Sequence, residues 1–384
     1  MIAVMNAFES FGVGRVIFGR GVITKLPDVL AALGRRAIVI YNGEGLGERV
    51  AALAESAGVV CVVRRQRGEP TVADVDAHVA EARKAECDCA IGAGGGSAID
   101  AAKAVAGLLT NGGAVTDYME VVGRGQKITR PAAPWVAIPT TAGTGAEATR
   151  NAVIGLPAKR FKASVRSELL LPRVAIIDPE LGVSVPPAVT AASGMDAVCQ
   201  LIESYTSTGA NPVTDALALR GLAMATPALS RAYADGGDLE AREAMAVAAY
   251  LSGVTLTSAG LGAVHGFAAP LGANFPVPHG VVCAALLPHV IAANVAAARA
   301  ENLSQTVRRY DEVARAMDVP DVAAHCAAWA RELAIPAFKA FGLTDAHVPE
   351  VVALARTASS MKFNPVVLSD DALATVLKRA IRGE

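Results

Sequence analysis

Gly94-Gly95-Gly96-Ser97-Ala98-Ile99-Asp100-Ala101-Ala102-Lys103 follows the apolar run Cys89-Ala90-Ile91 and leads into an alanine-rich stretch. A strand that ends in three glycines and turns into a helix is built to receive a phosphate. The glycines let the backbone come close to a pyrophosphate, and the helix start presents free N–H groups and the positive end of its dipole. Ser97 is placed to cap that helix. The pattern is neither GxGxxG nor a phosphate loop ending in Gly-Lys-Ser/Thr, which argues against a nucleoside triphosphatase.

Outward from this stretch, residues 1–180 alternate short β-branched runs with helical patterns, the signature of parallel strands joined by crossover helices. Strands are expected at 37–41, 59–63, 89–91, 135–138 and 174–177. Thr71 is expected to cap an amphipathic helix that carries His78 on a solvated or packing face. Pro139-Thr140-Thr141-Ala142-Gly143-Thr144-Gly145 also follows a strand directly. In a doubly wound sheet, ligands sit beyond the carboxyl ends of the strands, so this loop and the triple glycine should face one crevice. Glu147 is expected to brace the threonine–glycine loop by accepting backbone hydrogen bonds. After Asp178-Pro179-Glu180-Leu181, strand-like runs become scarce and Ala/Leu-rich helical stretches follow. The expected division is a nucleotide-binding α/β domain at 1–180 and an all-α domain at 181–384.

Composition narrows the function. The chain has 384 residues, 53% of them hydrophobic, enough for two cores. A net charge of −1 and 4% aromatics supply neither a basic field nor stacking platforms for nucleic acid, which leaves small-molecule chemistry. The six cysteines form no CxxC pair; Cys61, Cys89 and Cys283 read as core, and a reducing cytoplasm is expected. Met1 to Ser10 has neither a basic nor a long apolar segment, so no leader is expected, and no uninterrupted apolar run predicts a membrane partner.

The second half holds a constellation of polar residues. Ser193-Gly194-Met195-Asp196-Ala197-Val198-Cys199-Gln200 is read as opening a helix, with Asp196 and Gln200 four residues apart on one face. His265 and His279 flank a Pro- and Gly-rich stretch that forbids a single helix and can fold both rings toward one point. Asp196, His265 and His279 then make a two-His, one-carboxylate set suited to a divalent first-row ion with open positions. Taken alone, each histidine is more often a satisfied structural residue than a ligand.

These motifs together identify a resemblance. The order Val16-Ile17-Phe18-Gly19-Arg20-Gly21, GGGSAIDAAK, PTTAGTGAE, DPEL, SGMDA, His265-Gly266, Pro278-His279-Gly280 and Ser360-Met361-Lys362-Phe363-Asn364-Pro365 resembles the iron-containing (group III) alcohol dehydrogenase family over nearly the whole chain. The resemblance implies a dehydroquinate-synthase-like architecture: a nucleotide-binding α/β lobe, an all-helical lobe, and NAD- or NADP-dependent interconversion of an alcohol with an aldehyde or ketone in the cleft. Carried over by position, Gly94, Gly95, Gly96 and Ser97 hold pyrophosphate, and Asp100 of the same segment joins the cofactor set. Thr140, Thr141 and Thr144 line the nucleotide, while Lys162 and Leu181 lie toward the nicotinamide. A homodimer is implied, with residues 16–18 pairing across the interface.

The chain departs from the family's usual pattern at three places. The usual metal set is one aspartate and three histidines, and the position four after the aspartate is Gln200, a weaker donor than imidazole. The position four after His265, often a proton-relaying histidine, is Ala269. The aspartate that usually follows the second strand and repels a 2′-phosphate is Asn42, which opens the site to NADPH beside NADH. Two versions of the chemistry stand side by side. Either an Fe or Zn ion held by Asp196, Gln200, His265 and His279 polarises the carbonyl, or His265 or His279 donates a proton without metal, as in the similar maleylacetate reductases. A non-redox lyase or cyclase on the same scaffold is the reading from another class. Phe267, Phe275 and Phe363 are expected to shape the substrate pocket.

Overall fold

The structure, a computed structural model, describes residues 7–384. The expectation about a leader rests largely on residues 1–6, which lie outside the described residues. Six strands form one parallel sheet: β1 (Val16–Phe18), β2 (Arg36–Tyr41), β3 (Val60–Arg65), β4 (Cys89–Gly94), β5 (Trp135–Pro139) and, after a separate hairpin of β6 (Asn151–Leu156) and β7 (Phe161–Arg166), β8 (Val174–Ile177). Their order is β1-β8-β5-β4-β2-β3, every neighbour parallel. β2 and β4 are neighbours, while the chain leaves β2 toward β3 on one side and leaves β4 toward β5 on the other. This reversal opens a crevice at their carboxyl ends, where Asn42 and Gly94 stand.

Helices α1 (Leu26–Leu30), α2 (Leu46–Ser56), α3 (Val72–Lys84), α4 (Gly96–Asn111) and the short α5 (Val115–Tyr118) flank the strands. Thr71 and Asp74 close a capping box at the start of α3, as the sequence predicts, and His78 is half-buried beside Gln66. Ser97 does not cap α4. The flanking residue is Gly95, and Ser97 lies inside the first turn with its hydroxyl accepting from Asn42 Nδ2 (2.7 Å). Strand β4 runs on to Gly94 because Gly92 lets α4 lie directly on it: a Cβ there would come within 2.8 Å of the Ala102 methyl.

No strand follows Ile177 among the described residues. A 3₁₀ turn (Pro179–Gly182) leads to α6 (Pro187–Thr206), so Ser193 lies in the middle of this helix rather than at its start. Then come α7 (Pro212–Ala234), α8 (Leu239–Ala259), α9 (Ala263–Asn274) and α10 (His279–Ala300). The last four are α11 (Ser304–Met317), α12 (Val322–Glu332), α13 (Val348–Thr357) and α14 (Asp370–Arg382). Helix α10 is long and apolar enough to cross a membrane, yet 61% of its most apolar window is buried among the other helices. It is the core helix of this region, alongside α6. Phe267, expected at the substrate pocket, is fully buried in the same core.

The β6–β7 hairpin was not anticipated. Its strands pair in register from Asn151–Arg166 to Leu156–Phe161, around a turn where Arg160 takes φ 49°. It is fastened by Lys103, whose fully buried ammonium donates to Ala146 O (2.9 Å), Thr149 Oγ1 (2.7 Å) and Asn151 O (2.7 Å). Replacing Lys103 by Met strands both carbonyls and leaves Asp100 without its cation. The variant is expected to lose about 3 kcal/mol of stability in denaturant unfolding, while a solvent-facing control, Lys339→Met, stays near zero.

Candidate active site

The glycine and threonine loops meet as expected. Gly94 has φ +139°, and a Cβ there would lie 1.9 Å from Asn42 Oδ1; at Gly96 it would lie 2.7 Å from Thr144 Oγ1, and at Gly95 3.4 Å from Thr141 Oγ1. Thr140 N–H donates to Gly94 O (2.9 Å). Asn42 clamps the loop: its Oδ1 accepts from Gly95 N–H (2.7 Å) while its Nδ2 serves Ser97. Asp100, grouped with the cofactor residues from sequence, instead accepts from Val153 N–H (3.0 Å) and faces Lys103 (3.4 Å), which commits it to the hairpin. Leu181 is buried against the sheet core. Lys162 on β7 pairs with Glu69 and stands against Gly272 of α9. Phe275 packs on His347 (5.0 Å) and Phe363 on Gly260.

Asp196, His265 and His279 converge. His265 Nε2 lies 3.3 Å and His279 Nε2 3.5 Å from Asp196 Oδ1. Asp196 is 1% exposed, and neither ring aligns an N–H on Oδ1, so that buried oxygen has no hydrogen bond among the described residues. Its partner oxygen Oδ2 accepts from Gln200 Nε2 (3.1 Å). Gln200, expected as a weak ligand, has both ends of its carboxamide engaged by protein groups. Its Oε1 is taken by the Ser252 hydroxyl (2.8 Å), which itself sits 3.4 Å from Gly143 O in the threonine–glycine loop. Asp196, Gln200 and Ser252 thus connect the cluster to the cofactor crevice.

Sequence reasoning missed two more participants. Glu203, seven residues after Asp196 on the same helix face, accepts from Val264 N–H (2.7 Å) and holds His265 Nδ1 (2.7 Å). It fastens the start of α9 and turns His265 Nε2 toward Asp196. The i, i+4, i+7 spacing of Asp196, Gln200 and Glu203 was the available signal. Cys283 is buried, as predicted, but its Sγ lies 3.7 Å from both His265 Nε2 and His279 Nε2, one helical turn after His279.

The electrostatics follow from this packing. Burial works against charge on Asp196, but His279 and His265 hold its carboxyl well below the usual range. Burial likewise opposes charging His279, while Cys283 and Asp196 beside it raise the ring to about 10. Burial pushes the Cys283 thiol up. An orphaned carboxylate oxygen and two imidazole nitrogens sharing one point fit a divalent cation, with Asp196, His265 and His279 as its holders.

Comparison with known proteins decides what this arrangement belongs to. Residues 14–179 match the family profile of iron-containing alcohol dehydrogenase, and residues 190–381 that of the Fe-containing alcohol dehydrogenase family, C-terminal. The chain belongs to the iron-containing alcohol dehydrogenase family. It is 38% identical over 287 residues to the NAD-dependent methanol dehydrogenase of Bacillus methanolicus, covering 73% of this chain and 74% of that protein. It is 36% identical over 324 residues to alcohol dehydrogenase 4 of Saccharomyces cerevisiae (strain YJM789), covering 79% and 84%. The sulfoacetaldehyde reductase of Bifidobacterium kashiwanohense, solved with NAD+, superposes with a TM-score of 0.87 at 29% identity, covering 98% and 99%.

One carboxyl beside the crevice carries a pH signature. Glu147, expected to brace the loop, is buried, and burial pushes its carboxyl up to about 7 from the usual 4.5. Between these values the folded protein binds the proton that the unfolded chain has released, so stability falls as pH rises from about 4.5 to about 7. Glu147→Gln is expected to remove this loss, gaining on the order of 3 kcal/mol over the parent at pH 8 and nothing at pH 4. Urea unfolding of both proteins across that range checks it.

Proposed function

We propose that the protein is an NAD(P)-dependent oxidoreductase that interconverts an alcohol with an aldehyde or ketone at the cluster of Asp196, His265 and His279. The observation that carries this reading is the meeting, through Gln200 and Ser252, of that cluster with the crevice at the ends of β2 and β4. The nicotinamide supplies or accepts the hydride. A divalent ion, when bound, supplies Lewis-acid polarisation of the substrate oxygen.

The chain's own groups do the rest. The loop of Gly94, Gly95, Gly96 and Ser97 at the start of α4, its Gly95 N–H held by Asn42, receives the pyrophosphate on the N–H groups of the helix start, and Thr140, Thr141 and Thr144 line the nucleotide. Asn42 offers a neutral carboxamide at the end of β2, which neither demands a free 2′-hydroxyl nor repels a 2′-phosphate; this favours use of both NADH and NADPH. Lys162 on β7, which stands against Gly272 of α9, lies toward the nicotinamide. His279 keeps 38% of its side chain exposed while His265 keeps 8%, so the substrate oxygen approaches on the His279 side.

A second reading rests on His279 alone. Its ring is half-open to solvent and Asp196 beside it favours its charged form, which suits it to donate a proton to a developing alkoxide without metal. Six free cysteines suit a reducing compartment such as the cytoplasm. The outer edge of β1, with Val16 and Phe18 exposed, offers a second copy a place to extend the sheet into a homodimer.

The test is oxidation of NADH and of NADPH over a panel of aldehydes and ketones, before and after chelation, with Asp196→Ala alongside. The expected result is turnover with both cofactors, falling at least about 100-fold on chelation and in the variant. Full turnover after chelation moves the chemistry to His279, and strict use of NADH contradicts the role given to Asn42. Absence of any cofactor turnover contradicts the whole proposal.

A further inference from the structure

Three donors at the site are accounted for by the family pattern, and the family's fourth position, Gln200, is spent on Asp196 Oδ2 and Ser252. Yet a fourth donor already stands at the same point. Cys283 Sγ, Asp196 Oδ1, His265 Nε2 and His279 Nε2 all lie within 4.8 Å of one another. The spacing is informative. Around a tetrahedral Zn²⁺ with bonds of about 2.3 Å to sulfur and about 2.0–2.1 Å to nitrogen or oxygen, the S···N edges are about 3.6 Å and the N···O edges about 3.3–3.4 Å. The two S···N distances here are both 3.7 Å, and the N···O distances are 3.3 and 3.5 Å.

A hydrogen-bonded thiol accounts for less. Cys283 has one proton to share between two imidazoles, and it leaves Asp196 Oδ1 without a partner in a site where an unpaired carboxylate oxygen is costly. A cation at the common point satisfies all four atoms at once. The first turn of α10 explains how the cysteine gets there, since His279 and Cys283 are four residues apart and share a helix face. Glu203, which holds His265 from behind, completes the carboxylate–histidine arrangement expected around a metal.

We infer that Cys283 is the fourth metal ligand of this protein, replacing the histidine that Gln200 displaces, and that the Asp-His-His-Cys set takes Zn²⁺ in preference to Fe²⁺. Coordination converts the thiol to a zinc-bound thiolate and releases its proton to solvent; nothing is oxidised or reduced. A thiolate softens the donor set toward zinc, and zinc already binds such sites more tightly than ferrous iron. Gln200 is a positioning residue that holds Asp196 for the metal. The exposed side of His279 leaves an approach by which a substrate oxygen would reach this set.

The inference rests on the metal-assisted reading, and its test separates the two. The purified full-length protein is stripped with chelator and reloaded with Co²⁺ under anaerobic conditions, and its absorption spectrum is recorded. A thiolate-to-cobalt charge-transfer band in the near ultraviolet is expected in the parent. The band should survive in Gln200→Ala and in Cys199→Ser, the neighbouring thiol 3.9 Å from His265 Nδ1, and vanish in Cys283→Ser. Zinc affinity should fall about tenfold in Gln200→Ala and beyond about 100-fold in Cys283→Ser. Equal Fe²⁺ and Zn²⁺ should leave zinc in the protein by elemental analysis. Bound cobalt without the band, a band that survives Cys283→Ser, a band lost in Gln200→Ala or Cys199→Ser, retention of iron over zinc, or failure to bind cobalt at all overturns the assignment. NADH turnover, measured on the same samples, reports on the oxidoreductase reading independently, because it can persist when the spectrum fails.

Discussion

Everything at this site depends on two backbones touching where no side chain fits between them. A Cβ on Gly145, at the end of the threonine–glycine loop, would lie 2.5 Å from Ala249 O of α8, and a Cβ on Gly253 would lie 2.2 Å from Gly145 O. The same tightness recurs nearby: a Cβ on Gly143 would meet Ser193 of α6 at 2.6 Å, and one on Gly280 of α10 would meet Ala192 O at 2.3 Å. Interiors packed this closely transmit position rather than absorb it. The loop that lines the nucleotide crevice is therefore fixed against the helices that carry Asp196 and His279, and the order of the chain is converted into a reactive geometry.

That constraint also explains the polar residues behind the site. Gln200 and Ser252 lie along the seam between α6 and α8 and reach Gly143 O, so the residue that departs from the family's pattern has become a strut. Glu203 plays the corresponding part for α9, joining the backbone at Val264 to the ring of His265. Buried polar groups of this kind are stable only when nearly every donor and acceptor is met, which makes an unmet carboxylate oxygen at the centre of the cluster, Asp196 Oδ1, the more telling.

Much of this was legible in the sequence. Short β-branched runs alternating with helical patterns give five of the sheet's six strands, and Thr71 announces α3 through a capping box that depends only on local chemistry. The two cofactor loops were readable because each follows a strand, and topology alone sends both to the carboxyl ends. What stayed hidden depends on contacts distant in sequence. The β6–β7 hairpin is held by Lys103, 43 and 48 residues before the carbonyls it binds, and the same lysine faces Asp100, which its place in the glycine-loop segment groups with the cofactor residues. Ser97 passed for a helix cap because nothing local reveals that Asn42 holds it from another strand. Cys283 read as core, which its burial bears out, but only the fold brings His265 to its other side. Phe267 was assigned to a pocket on residue type alone, although helical spacing places it in the core.

The most direct test of the account is the rate of NADH-dependent aldehyde reduction in Gly253→Ala. Alanine is the better helix former by about 1 kcal/mol, so within α8 itself the change is favourable, and any loss must come from the contact with Gly145. The account predicts that divalent-ion binding at the donor cluster stays within about threefold of the parent while kcat/KM falls at least about 100-fold, because the cofactor loop is pushed off the cluster. Turnover at the parent rate would show that the loop and the donor cluster do not depend on each other for their positions.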